Sequence, residues 1–242
     1  ILLNNWPIFK MQGKKGVLLL YDEMHNIKDK KESKQYTLSS LLEALSYVQR
    51  EGCRYYLCAS GLPTLKINLK EAKTYTERMF NFQETKNLLT EEAKKAITEP
   101  LRETPYTFKD NLVKHIVSET DGYPYFLQFY GYFLIENITN RTIKLTDLAA
   151  KRKELLEQLD KNFFEDRFTL ASDNERKVLL AMAQTTSAEI PTLEISNKTK
   201  INYNNLMQHL IRLTEKGLIY RVKKGKYTFT IPLFRQYLNR KV

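Results

Sequence analysis

A run of five apolar residues that ends in two carboxylates constrains this fold more than any other feature. It reads Val17-Leu18-Leu19-Leu20-Tyr21, followed by Asp22-Glu23. A short, continuous apolar run behind a glycine (Gly16) is the pattern of a strand covered on both faces, as in a parallel sheet. After a polar loop over 28–34, Ser40-Leu41-Leu42-Glu43 reads as a capping box opening a helix. Leu41, Leu42, Leu45 and Val48 give that helix an apolar stripe, and Gly52 ends it. Residues 54–60 read as a second buried strand, stopped by Gly61 and Pro63. Strand, helix, strand within about 45 residues is one βαβ unit, with parallel strands and a right-handed crossover. Open α/β sheets bind ligands at the carboxyl ends of their strands. Asp22, Glu23 and, one strand on, Ser60 stand at that edge. The two adjacent anions repel, and a cation beside them offsets the repulsion. The bland alternative is that strands often end in polar residues and that Ser before Gly is turn chemistry.

Downstream the periodicity is helical. Thr90 reads as a helix cap with Glu91 and Glu92 in the first turn, and Pro100 as the end. Leu112, Val113, Ile116 and Val117 line a second helix, closed by Asp121-Gly122. Pro124 fits the first position of a third, where its fixed φ and missing N–H cost nothing. A fourth starts near Thr146. Residues 160–170, rich in Phe and charge, read as a linker. Helical patterns then cover 174–184, 193–198 and 202–216. Two β-type runs over 218–223 and 226–231 follow, joined by the tight-turn pair Lys224-Gly225. That order is the one found in a winged helix-turn-helix.

The charge is uneven. Residues 173–242 hold thirteen Lys/Arg against five Asp/Glu, eight of the chain's net +11. Such a basic end suggests a polyanion partner, most simply nucleic acid. A solvated charged surface is the plain alternative. In residues 202–216, Leu206, Leu210 and Leu213 share one face. Tyr203, Asn204, Asn205, Gln208, His209 and Arg212 are then left outward or at the edges. Asn and Gln can pair with adenine and Arg with guanine. Arg221, Lys223, Lys224 and Lys226 suit phosphates. No apolar run approaches the roughly 18 residues of a membrane span. The chain begins without Met or a signal-peptide pattern. Two cysteines, Cys53 and Cys58, are too few for a disulfide framework, which fits a reducing cytoplasm. The three histidines lie far apart and suggest no metal site; His25 stands two residues after Glu23.

An ordered series of segments carries a resemblance. Asp22-Glu23 is followed by Ser60-Gly61-Leu62-Pro63, Tyr75-Thr76-Glu77-Arg78-Met79-Phe80 and Leu89-Thr90-Glu91-Glu92-Ala93. Thr120-Asp121-Gly122-Tyr123-Pro124-Tyr125-Phe126-Leu127-Gln128 and Leu159-Asp160-Lys161-Asn162-Phe163-Phe164 come next. Together they resemble bacterial AAA+ ATP-binding proteins similar to the replication-initiator (origin-recognition) ATPases. The match covers nearly the whole chain. It implies an α/β partial P-loop AAA+ core with parallel strands, an all-α lid, and a C-terminal winged helix-turn-helix. The implied division is core 1–88, lid 89–160, linker 161–172 and winged helix 173–242.

By the same resemblance Asp22 holds Mg²⁺ through water, Glu23 orients the attacking water, and Ser60 is sensor 1. Arg78 is similar to an arginine finger that reaches a neighbouring subunit's nucleotide, and a surface Arg in a salt bridge is its alternative. Pro124 and Tyr125 belong to a lid turn near the adenine, beside the structural reading of Pro124 above. Tyr125, Phe126 and Gln128 stand where the family commonly has a sensor 2 Arg. No Gly-x-x-x-x-Gly-Lys-Ser/Thr occurs. The phosphate loop is then expected before Ile1, and this chain alone is expected to bind ATP feebly and not to hydrolyse it. The implied cofactors are Mg²⁺ and ATP in the parent protein, with none in the fragment. The implied partners are ATP, double-stranded DNA or a protein through the winged helix, and further copies of the protein in an oligomer. A non-catalytic DNA- or protein-binding regulator with a scaffold core is the alternative from another class.

Overall fold

The computed structural model describes residues 1–30 and 32–241. Lys31 of the expected polar loop and Val242 at the expected C-terminal end lie outside the described residues. The chain forms two compact units, Ile1–Gln83 and Glu84–Val242.

The first unit runs α1 (Leu2–Met11), β1 (Val17–Tyr21), α2 (Thr37–Arg50), β2 (Tyr55–Ala59), α3 (Thr64–Ala72) and α4 (Thr76–Met79). Strands β1 and β2 pair in parallel, with Val17 opposite Tyr55 and Tyr21 opposite Ala59. The βαβ expectation therefore holds. Burial on both faces does not: Leu18 is 58% and Leu20 72% exposed, and Tyr56 and Cys58 are exposed beside them. Only the other face is covered. Leu42, Leu45 and Val48 of α2 pack there near Val17, Tyr55 and Leu57, with Trp6 of α1 against Tyr55.

Helix α2 also starts three residues before the expected Ser40, and Leu38 joins the buried stripe. The preceding loop supplies the cap. The Asp29 carboxylate accepts the N–H groups of Leu38 (3.0 Å) and Ser39 (3.1 Å) and the Ser39 hydroxyl. An acceptor nine to ten residues upstream satisfies the first-turn donors, so a local capping box is not needed.

The second unit opens with α5 (Thr90–Thr98), β3 (Thr107–Phe108), α6 (Asp110–Thr120), α7 (Pro124–Asn137), β4 (Thr142–Ile143) and α8 (Leu145–Leu159). The cap of α5 is Leu89 rather than Thr90, with the Glu92 carboxylate accepting the Leu89 N–H at 3.1 Å. Pro124 does open α7. After α8 the chain stays helical through a π-turn, Asp160–Phe164, into α9 (Glu165–Thr169). The residues that read as a linker are thus ordered by burial. Phe163 and Phe164 sit in the core, and Phe164 stacks on Phe234 and Tyr237.

The rest is α10 (Asp173–Ala183), β5 (Ile190–Pro191), α11 (Thr192–Thr199), α12 (Tyr203–Glu215), β6 (Ile219–Lys223), β7 (Lys226–Phe229) and α13 (Phe234–Arg240). The strands form an antiparallel sheet in the order β5-β7-β6. One continuous apolar core extends from Ala93 to Leu238.

A buried carboxylate ties α10 to α12. Glu175 accepts the Ser172 N–H (2.8 Å) and pairs with the Lys216 ammonium (2.6 Å), which also donates to the Leu170 carbonyl (2.8 Å). Burial pushes the Glu175 pKa up, but Lys216 and the Ser172 N–H outweigh it and hold the carboxyl below its ordinary value. A depressed carboxylate contributes stability above its unfolded pKa and loses it as pH falls through the folded one. Glu175→Gln is expected to cost about 1–3 kcal/mol at neutral pH. Melting temperatures of the two proteins should converge as pH drops below the ordinary glutamate range, and a gap that stays constant there would count against this pairing.

Candidate functional site

The first candidate site lies where β1 and β2 end. The backbone ladder continues past both strands: Ser60 N–H donates to the Tyr21 carbonyl (2.8 Å), and Met24 N–H donates to the Ser60 carbonyl (2.9 Å). Ser60 is thereby held beside Asp22, and its hydroxyl donates to Asp22 Oδ1. The Glu23 N–H donates to the same oxygen at 2.9 Å. The Ser60 hydrogen bond, then that of Glu23, holds the Asp22 carboxyl below its ordinary value. Both donors use Oδ1, which leaves Oδ2 as a hard oxygen ligand of the type Mg²⁺ takes.

Glu23 turns off the strand in the left-handed region (φ 52°). That conformation costs a non-glycine residue about 1–2 kcal/mol. Its carboxylate lies 3.4 Å from His25 Nε2. So the structure brings Asp22, Glu23 and Ser60 together, and adds His25, two residues after Glu23. Gly61 makes room for it. A Cβ there would meet His25 Nδ1 at 3.0 Å and its backbone N at 3.1 Å. Arg78 lies in α4, exposed, with no ion pair among the described residues; its neighbour Glu77 pairs with Lys70 instead. Its salt-bridge alternative is therefore not what is seen.

In the second unit, Asp121 and Gly122 both adopt positive φ (50° and 67°) at the end of α6. The Leu88 N–H donates to the Gly122 carbonyl (3.0 Å), and Asn87 Nδ2 donates to Asp121 Oδ2 (3.0 Å). Tyr125, one residue after Pro124, is partly exposed and packs on Phe163 with ring centroids 4.6 Å apart.

The basic C-terminal elements form the second candidate site. Leu206, Leu210 and Leu213 are buried. Tyr203, Asn204, Asn205, Gln208 and Arg212 are exposed, as are Arg221, Lys223 and Lys224, while Lys226 is half-buried. His209 is also half-buried, and its Nδ1 faces inward without a hydrogen-bond partner. Two of the expected phosphate-binding cations are occupied. Glu189, which the sequence reading passed over, pairs with Lys223 (2.9 Å) and Lys226 (3.4 Å). Lys223, then Lys226, holds the Glu189 carboxyl below its ordinary value.

Over 98% of its length the chain superposes on the Walker-type ATPase PABY2304 of Pyrococcus abyssi, with a TM-score of 0.69 and 18% identity. The chain shares the fold of the corresponding part of that protein. It spans 66% of that protein's length. The Thermotoga maritima RuvB Holliday junction branch migration motor matches at TM-score 0.47 and 14% identity, over all of this chain and 75% of that one. The Aeropyrum pernix ORC1 protein in complex with DNA matches at 0.46 and 11%, over 96% and 66%. Residues 161–238 match a family described as a domain of unknown function, DUF8462. No curated protein matches the chain. Among the described residues no helix is long and apolar enough to cross a membrane.

Proposed function

We propose that this chain is part of an AAA+ ATP-binding protein whose nucleotide chemistry uses Asp22, Glu23 and Ser60. The observation that carries this reading is the pairing of Ser60 with Asp22 at the carboxyl ends of two parallel strands. Ser60 keeps Asp22 ionised and turned so that one oxygen stays available. Mg²⁺, when bound there, neutralises phosphate charge. Glu23 accepts a proton from, or orients, the attacking water. Arg78, Pro124 and Tyr125 keep the roles that family resemblance gives them: a trans-acting Arg in an oligomer, and a lid turn beside the base. The test is ATP turnover by the full-length protein and its Asp22→Asn variant. Equal rates would end the reading.

The second part of the proposal is a winged helix over 173–242 that binds duplex DNA through α12 and the β6–β7 turn. Its support is the exposed polar face of α12 together with the exposed Arg221 and Lys224. Three to five phosphate contacts would give log affinity against log salt a slope of about −3 to −4.5. Replacing Arg221 and Lys224 by Ala is expected to flatten that slope by about two. Glu189→Gln frees Lys223 and Lys226 and is expected to tighten DNA binding about two- to fivefold at low salt. Fluorescence anisotropy with a labelled duplex measures all three. Binding that ignores salt, or weakens in Glu189→Gln, would point instead to a protein partner on this face. Tyr203, Ile211 and Tyr220, exposed on the same elements, would then be the anchors.

A further inference from the structure

His25 is built into its surroundings more firmly than a loop histidine needs to be. Its side chain is 11% exposed. Nδ1 accepts the Leu62 N–H at 3.2 Å, and the His25 carbonyl accepts from Asn68 Nδ2 at 2.9 Å. A Cβ at Gly61 would meet His25 Nδ1 at 3.0 Å and its backbone N at 3.1 Å, so any larger residue there would crowd the histidine. A backbone N–H can only donate, so Nδ1 presents its lone pair and the neutral ring carries its proton on Nε2. That donor lies 3.4 Å from Glu23 Oε2. The other charged group at this strand end is Asp22, and it is already engaged by Ser60 and the Glu23 N–H.

We infer that His25 is a positioning residue for Glu23: its Nε2–H holds one carboxylate oxygen and leaves the other for the water. The inference rests on the proposed role of Glu23. It adds a mechanical point. Ser60 holds Asp22, while Leu62, two residues on, holds His25 and through it Glu23. One short segment, Ser60-Gly61-Leu62, thus sets both carboxylates, and a shift of that segment releases them together.

The experiment has two arms. In this chain, long-range ¹H–¹⁵N spectra near neutral pH should show His25 with a bare Nδ1 and a protonated Nε2. Resonance assignment uses a His25→Gln sample. In the full-length protein, His25→Phe should lower kcat for ATP by about 10- to 100-fold with KM unchanged, since misplacing a catalytic group costs that much. His25→Gln, which keeps a donor at the Nε2 position, should recover most of the rate. A ring protonated on Nδ1 would overturn the inference, as would equal losses in the two variants or a change confined to KM. If the wild-type full-length protein turned over no ATP, the nucleotide reading itself would fall first, and the two failures are thereby distinguished.

Discussion

Glu23→Gln is expected to lower ATP turnover by the full-length protein about 10²- to 10³-fold while leaving nucleotide binding in place. The estimate follows from removing a general base or water-orienting carboxylate, which is worth 10²–10⁴ in rate. Gln has the shape of Glu and keeps an oxygen toward His25, so the fold at the end of β1 should survive. Asp22 stays available, so binding should survive too. Asp22→Asn should behave differently, because it weakens the one free hard oxygen at the site and should lose metal-dependent nucleotide affinity along with rate. Single-turnover rates and nucleotide titrations on the two variants separate these outcomes. A Glu23→Gln protein that turns over at the wild-type rate would move the chemistry elsewhere and favour the scaffold alternative.

Gly122→Ala is expected to destabilise the second unit strongly. A Cβ at Gly122 would overlap the Leu88 carbonyl oxygen and lie 3.3 Å from its carbon, and both belong to backbone. The residue also has φ +67°, which a side chain disfavours by roughly 1 kcal/mol. Relieving the overlap would pull Leu88 away from the hydrogen bond it donates to the Gly122 carbonyl. Together these predict a loss of about 3 kcal/mol or more. For a unit of this size that is a drop in melting temperature of about 6–12 °C. Gly131 is the control. It lies within α7 with nothing near its Cβ position, so Gly131→Ala should be neutral or stabilise by about 0.5–1 kcal/mol. Equal melting temperatures for the two variants would refute the packing argument.

Much of the fold was legible because it rests on local rules. The β1 run, the α7 proline and the Asp121-Gly122 turn announce themselves through hydrophobic period, fixed φ and positive φ. What escaped depends on contacts distant in sequence. The cap of α2 comes from Asp29, and a reading that looks for the acceptor within the first turn puts the helix start at Ser40. The run 160–170 looks like a linker because its charges hide the fact that Phe164 and Phe168 have partners 69 or more residues away in α13, while Phe163 packs on Tyr125 and Phe126 of α7. The exposed face of β1 was misjudged because an apolar run says what can be buried, not what lies across from it. At the strand-end site, residue types alone suggested Asp22, Glu23 and Ser60. His25 needed coordinates, since its value comes from which nitrogen faces which partner. Glu189 was missed for a similar reason: its lysine partners, Lys223 and Lys226, lie 34 and 37 residues further along the chain.

The π-turn at Asp160–Phe164 has a practical consequence for anyone dividing the molecule. A cut after Leu170 would strip Phe234 and Tyr237 of the aromatic rings stacked on them and separate Arg240 from Asp160, its ion-pair partner. The severed C-terminal piece would expose a greasy scar and behave poorly in solution for reasons unrelated to DNA. Fragments meant for binding studies are better started near Glu84, where the polypeptide passes from one compact body to the next.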